Sequence, residues 1–428
     1  MMMSETITQL LKKGIRIDSP HSVEIGPEVD PGRISGDGVF LHAGCKIFGK
    51  NTLICAGTIL GHEAPATIDN CQIGPGVALK GGYFKESVFL EKAGMGSGAQ
   101  VREGTILEEE ASGAHTVGLK QTILFPYVTL GSLINFCDCL MAGGTSRENH
   151  SEVGSSYIHF NFTPNQDKAT ASLMGDVPRG VMQNQPPIFL GGQGGLVGPC
   201  RLAFGTVIAA GSIYRKDELR PGRLLVEGGG RGGNLPFVGG LYRSIKRIVE
   251  KNVLYIANLI ALRRWYEAVR RQFISNAFPE PLLEGLLEKV DMGIMERLKR
   301  FQALSRKMPE SARIYGLTVG ENVSASLLAQ KMQLYERWPE VEGLFLDKKC
   351  RAGGVPEKDQ FLECLEKQIQ AYGKDYLRVI KSLEPATAEI GSRWLQHEVD
   401  AVSEEVFDML STFGFGSKES SRTGTQMP

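Results

Sequence analysis

Few features of this 428-residue chain carry a strong electrostatic or covalent signal. Lysine plus arginine and aspartate plus glutamate number 48 each, so the formal net charge is zero. A balanced chain has no bulk field to draw it to nucleic acid or an anionic membrane, and neither is expected as a partner. Cysteines are scarce, eight at irregular positions with no CxxC pair, which excludes a disulfide framework and the common zinc spacings. Cys45, Cys55 and Cys71 read as small buried hydrophobes in a reducing compartment. Long apolar runs are absent: the longest mainly apolar stretch, residues 253–262, is too short to span a bilayer. The opening MMMSETITQLLKKGIRI has no apolar core ahead of a small-residue cleavage site, so no secretory leader is expected. A soluble, cytoplasmic protein follows. Walker A, strand–GxGxxG–helix and GxSxG motifs are missing too. ATP hydrolysis, Rossmann-type dinucleotide binding and a Ser/His/Asp hydrolase are therefore not predicted.

What the chain does have is glycine, unevenly placed, and a rhythm of six. Forty of the 52 glycines fall in residues 1–240, whereas all three tryptophans lie beyond them. Leu41, Ile47, Leu53 and Ile59 are six apart, as are Leu190, Leu196, Leu202 and Ile208. A period of six fits neither a helix nor an ordinary strand. It marks a parallel β-helix in which each hexad is a short strand plus a corner, three hexads close a coil, and the repeated aliphatic points inward. Repeats run with interruptions from about Val23 to Tyr214, enough for roughly eight to ten coils at about 18 residues each. From Leu241 the period becomes helical, with Ile245, Ile248, Val249, Val253, Ile256 and Ile260 on one face.

The expected fold is thus mainly β plus α: a left-handed parallel β-helix followed by a C-terminal α-helical domain. Residues 1–20 read as a lead-in and 21–217 as coils with a long loop at 159–189. Residues 218–240 read as a glycine-rich linker, 241–413 as the helical domain and 414–428 as a disordered tail. Further helices are predicted near 281–307, 322–338, 357–382 and 385–412, with Pro281, Pro356 and Pro385 in their first turns. The alternating charges of this domain read as a solvated surface around a packing or oligomerisation module.

Chemistry is sought where polar residues displace core-filling ones. Residues 143–152, including Arg147, Glu148, Asn149 and His150, are the densest such run. His150 is the best general-base candidate, because imidazole titrates near neutrality and Glu148 or Glu152 could orient it. A turn-capping role for His150 is the alternative. His159 has a weaker claim, since Ile158 and Phe160 flank it. Cys137 and Cys139 could share one strand face as thiolates, but no further ligand spacing supports a metal, and none is predicted. Arg102, Lys120, Arg147, Lys168 and Arg179 are the cations expected near an anionic ligand: a sugar phosphate, a nucleotide or coenzyme A.

Two stretches carry a family resemblance. One is Val153-Gly154-Ser155-Ser156-Tyr157-Ile158-His159-Phe160-Asn161-Phe162 with Lys168. The other runs through Ile188-Phe189-Leu190-Gly191, Leu196-Val197-Gly198-Pro199 and residues 206–212. They resemble the left-handed hexapeptide-repeat acyltransferases, in particular the acetyltransferase domain of bacterial bifunctional N-acetylglucosamine-1-phosphate uridyltransferases. The resemblance covers residues 20–217. The chain also resembles bacterial proteins described as related to UDP-N-acetylglucosamine pyrophosphorylase.

The resemblance implies that Asn161, Phe162 (usually tyrosine in the family) and Lys168 lie at a site for sugar phosphate and acetyl-CoA. It matches Arg102 and Lys120 to upstream phosphate contacts, and it implies a homotrimer with sites between neighbouring prisms. The chain departs from the family pattern in three ways. Where the family carries its catalytic histidine, this sequence has Asn135, Phe136, Cys137 and Asp138. The segment after Asn161 is about a dozen residues longer, and a helical domain rather than a preceding nucleotide-binding one accompanies the coils. The expected activity is acetyl transfer from acetyl-CoA to an amino sugar phosphate. His150 would take the proton while Asn161 and backbone N–H groups hold the oxyanion. A non-catalytic scaffold, or a protein that binds UDP-sugars, is the alternative. A sugar-1-phosphate nucleotidyltransferase is a further one.

Overall fold

The computed structural model describes residues 4–227, 236–350 and 354–415. The GGGRGG run of the expected linker and residues 416–428 of the expected tail lie outside the described residues. A helix α1 (Glu5–Lys12), capped by the Ser4 hydroxyl, leads into a parallel β-solenoid of about eleven turns. Its first face is an eleven-strand ladder from Arg16–Ile17 to Leu224–Leu225. The second face runs from Glu24–Ile25 to Ile213–Tyr214, the third from Leu53–Ile54 to Arg201–Leu202. Strands Gly118–Leu124 and Asn135–Met141 continue around the corner between the second and third faces and join them into one sheet.

Leu41, Leu60, Leu79 and Met95 are stacked in register on successive rungs of the first face, all facing the interior. Ile59 departs from the expected rhythm. It is 39% exposed while Leu60 is fully buried, because the coil from Leu41 to Leu60 holds one residue more than three hexads. The extra corner residue advances the phase by one, and in a strand a shift of one turns a side chain to the other face. The ladder also extends beyond the 23–214 span of the repeats, by a rung at Arg16 and one at Leu224 whose hexads are incomplete.

The third face is apolar on both sides. Val88, Ile106, Ile123, Leu140 and Leu173 are in register with one another and buried. Gln72 belongs to the same column and abuts Gly285 of the helical domain, so this column points outward, under the helices. Strands covered on both faces read as continuous apolar runs, as do Val88-Phe89-Leu90 and Leu140-Met141-Ala142. The 159–189 segment carries short elements of the solenoid within otherwise irregular backbone. Strands Ile158–Phe160 and Ser172–Met174 hold solenoid positions, and a one-turn helix α2 (Val177–Gly180) is capped by Asp176.

Eight helices follow among the described residues: α3 (Lys246–Ala268), α4 (Glu280–Arg306), α5 (Met308–Val319), α6 (Ala325–Glu336), α7 (Trp338–Cys350), α8 (Pro356–Tyr372), α9 (Tyr376–Lys381) and α10 (Pro385–Met409). Prolines stand in the first turns of α4, α8 and α10, where a missing N–H costs no intrahelical bond. Helix α3 is buried nearly all round, between the solenoid and α4 and α10. Helix α4 lies along the third face. Solenoid and helices share one apolar core. No described helix is long and apolar enough to cross a membrane.

Candidate functional site

The outer side of the second face gathers cations. Val101, Leu119 and Phe136 occupy successive rungs and point inward. The next residue of each strand therefore points out. These are Arg102, Lys120 and Cys137, with Lys120 paired to Cys137 in register. Lys168, from a later coil, joins them: the charges of Lys168, Lys120 and Arg102 all act on the Cys137 thiol. Burial, and then the Asp138 charge, nevertheless push that thiol up to about 11, so Cys137 is not a thiolate at neutral pH.

Glu103 sits between Lys120 Nζ, at 3.2 Å, and Arg102 Nη2, at 3.6 Å. Burial raises its pKa, but hydrogen bonds from its own backbone and from Lys120, and the two cations, hold the carboxyl below the usual carboxylate range. One carboxylate thus stands against three cations, and the Lys168 ammonium has no ion-pair partner among the described residues.

Asp138 turns the strand from the second to the third face with φ of +59°, a left-handed conformation that aspartate tolerates better than most residues. Its buried carboxylate accepts from Asn161 Nδ2 at 2.8 Å and pairs with Arg297 of α4. Arg297 Nη1 also donates to the Lys168 carbonyl at 3.0 Å. Asn161 is half-buried in this network, and Phe162 beside it is 65% exposed. The structure therefore sets Arg102, Lys120 and Lys168 around Cys137, and Asn161, followed in sequence by the exposed Phe162, on the neighbouring Asp138.

It does not bring His150, Arg147, Asn149 or Arg179 to them. A hairpin, Gly144–Ser146 with Asn149–His150, leaves the solenoid near the corner between the third and first faces. Arg147 Nη1 is engaged there by Glu110 O, Tyr127 O and Thr129 Oγ1 at 3.0–3.2 Å. Asn149 bonds Thr145, and His150 Nδ1 lies 2.8 Å from the Arg147 carbonyl, with Glu152 3.9 Å from Nε2. Arg179 pairs with Asp176 at the start of α2 and stacks on Phe204. These side chains secure the hairpin and a coil corner. The corner that holds Asn161 is a full third-face strand away.

His159 is sealed inside the coil. Its Nδ1 donates to Cys137 O at 2.6 Å, and Nε2 accepts from the Ser172 hydroxyl at 2.8 Å. Burial lowers its pKa, so the ring is neutral. Cys137 and Cys139 do not share a face either. The Asp138 corner lies between them, leaving Cys137 outward and Cys139 inside, which removes the thiolate pair. Sequence reasoning missed Arg297, for which a charged residue in a helix with alternating charges gave no signal. It also missed the role of Asp138.

No family model matches the chain. The bifunctional protein GlmU of Oleidesulfovibrio alaskensis is 22% identical over 216 residues, 49% of this chain and 41% of that protein. GlmU of Thermotoga maritima is 25% identical over 218 residues, with coverages of 49% and 42%. GlmU of Nitratidesulfovibrio vulgaris is 24% identical over 229 residues, with 53% and 44%. The chain is a distant relative of GlmU. It spans about two-fifths of the length of these curated GlmU relatives.

Proposed function

We propose that the outer second face binds a phosphorylated or nucleotide-linked sugar. The observation that carries this reading is the convergence of Arg102, Lys120 and Lys168 around Cys137, three cations against the single carboxylate of Glu103. A phosphate oxygen accepts from such groups in charge-assisted hydrogen bonds, each stronger than a neutral one. Phe162, next in sequence to Asn161, offers an exposed apolar surface for a sugar face or base. Calorimetric titration with UDP-N-acetylglucosamine and glucosamine 1-phosphate tests it. Binding that falls at least about tenfold on Lys168→Ala, as expected for loss of a charge-assisted contact, supports the site. Binding unchanged by Lys168→Ala and Lys120→Ala would sink it.

Acetyl transfer from acetyl-CoA to an amino sugar phosphate is the second reading, favoured by the relation to GlmU and by the place of Asn161. It needs a proton acceptor. His159 has both ring nitrogens engaged inside the coil, and His150 stands at another corner, so neither imidazole faces the cations. Coenzyme A release from acetyl-CoA in the presence of glucosamine 1-phosphate, lost on Asn161→Ala, would establish the transfer reading. Ligand binding without coenzyme A release favours binding alone.

A homotrimer is proposed with it. Phe189, Val207 and Leu224 form an exposed ladder on consecutive rungs of the first face, 41%, 36% and 67% accessible. An uncovered apolar ladder of this kind fits a self-association surface. Light scattering should give three times the chain mass.

A further inference from the structure

The helical domain grips the site segment from end to end. Lys307 Nζ donates to Asn165 O at 2.6 Å, and the Gly240 N–H to Asn165 Oδ1 at 2.9 Å. Tyr242 OH donates to Asp167 Oδ2 at 2.8 Å, and Asn252 Nδ2 to Ala169 O at 2.9 Å. Arg297 adds the Lys168 carbonyl and the Asp138 carboxylate. Four residues of a five-residue stretch are thus bonded from outside the solenoid, and Lys168 is the one whose charged end remains free for a ligand.

Arg297 is the centre of this grip. It is 1% exposed, on the solenoid-facing side of α4 that also carries Gly285, against Gln72, and the buried Lys289, whose charge acts on Cys71. A buried ion pair is a poor device for stability alone, since apolar residues of similar volume usually hold a helix as well without the desolvation cost. Its geometry does something an apolar contact cannot. One guanidinium nitrogen fixes the Lys168 backbone. The other neutralises Asp138, whose second oxygen in turn orients the Asn161 amide. The planar fork of arginine suits two acceptors at once, as the single ammonium of lysine does not. Without Arg297 the Asp138 charge would stand unpaired beside the cation ladder and weaken its pull on an anion.

We infer that Arg297 is a positioning residue for the anion site, so that the helical domain is a working part of that site and not an independent module. The inference rests on the binding reading above for its consequence, but its physical core, the ordering of residues 161–170 by Arg297, can be measured without ligand.

Two full-length variants test it. Arg297→Lys keeps the charge and loses the fork. Arg297→Met with Asp138→Asn removes the pair together, leaves no unpaired buried charge, and keeps a carbonyl oxygen for Asn161. Both should unfold within a few degrees of the parent. In both, amide hydrogen exchange over residues 161–170 should accelerate at least about tenfold while third-face strands exchange as before, the scale on which supporting residues act when they orient others. Affinity for UDP-N-acetylglucosamine should fall by a similar factor, less in Arg297→Lys. Unchanged exchange in both variants overturns the inference. Faster exchange in a protein whose parent binds no UDP-N-acetylglucosamine keeps Arg297 as the organiser and removes the binding reading instead. Faster exchange with undiminished affinity overturns the positioning role.

Discussion

Single residues matter most here where charge is buried or backbone is constrained. Glu108 is fully buried at the domain interface and accepts from the Tyr266 hydroxyl. Burial, and then the neighbouring Glu109 charge, raise its pKa to about 7 against the pull of Arg270. In the unfolded chain the same carboxyl loses its proton near pH 4.3. Between those values the folded protein holds a proton that the unfolded one has released, so stability falls as pH rises through the window and levels off above it. Thermal unfolding of the parent should shift down between pH 5 and pH 8, and Glu108→Gln should flatten that slope. His150→Ala, in contrast, should leave UDP-N-acetylglucosamine affinity unchanged, because its ring faces Arg147 O and Glu152 rather than the cations.

At the scale of elements, the solenoid tolerates little change where rungs touch. Gly82 has φ of +131°, and a Cβ there would lie 2.2 Å from the Ala99 carbonyl oxygen of the next rung. Gly82→Ala should cost about 1–3 kcal/mol in denaturant unfolding, the usual range for a strained backbone position. The outward column of the third face, under α4, is the second sensitive element. Leu140→Ala leaves a gap between sheet and helix and should cost about 2–5 kcal/mol, as buried leucine truncations do. Ile59→Ala, one step out of phase and exposed, should change stability by no more than about 0.5 kcal/mol. The last pair contrasts an outward position covered by the helices with an outward position open to solvent.

For the molecule as a whole, the helical domain is fused to the solenoid through a shared core rather than tethered to it. A chain cut to residues 1–227 should expose Val88, Ile106, Ile123, Leu140 and Leu173 together. Contiguous apolar surface of that kind drives association. Dye binding to exposed apolar surface and aggregation of that fragment check the expectation, and a soluble fragment without dye binding would contradict it.

The solenoid, its three-sided rungs and most of its inward aliphatic columns are legible in the six-residue repeat, because each coil pairs mainly with its neighbours in the chain and repeats one local geometry. The resemblance, and not periodicity, pointed to Asn161, Phe162 and Lys168, with Arg102 and Lys120 as upstream phosphate contacts, beside Arg147, Asn149, His150 and Arg179 from the polar runs. Which corner each polar residue occupies is set by long-range packing instead. His150, Arg147 and Arg179 left the group once a hairpin and a one-turn helix placed them one face away, which no local pattern encodes. Arg297 entered it across 159 residues of chain from Asp138, through the docking of a helix whose charges read from sequence as solvated. Pairing at that separation depends on how two apolar faces seat against each other, a property of the assembled core and of no single segment.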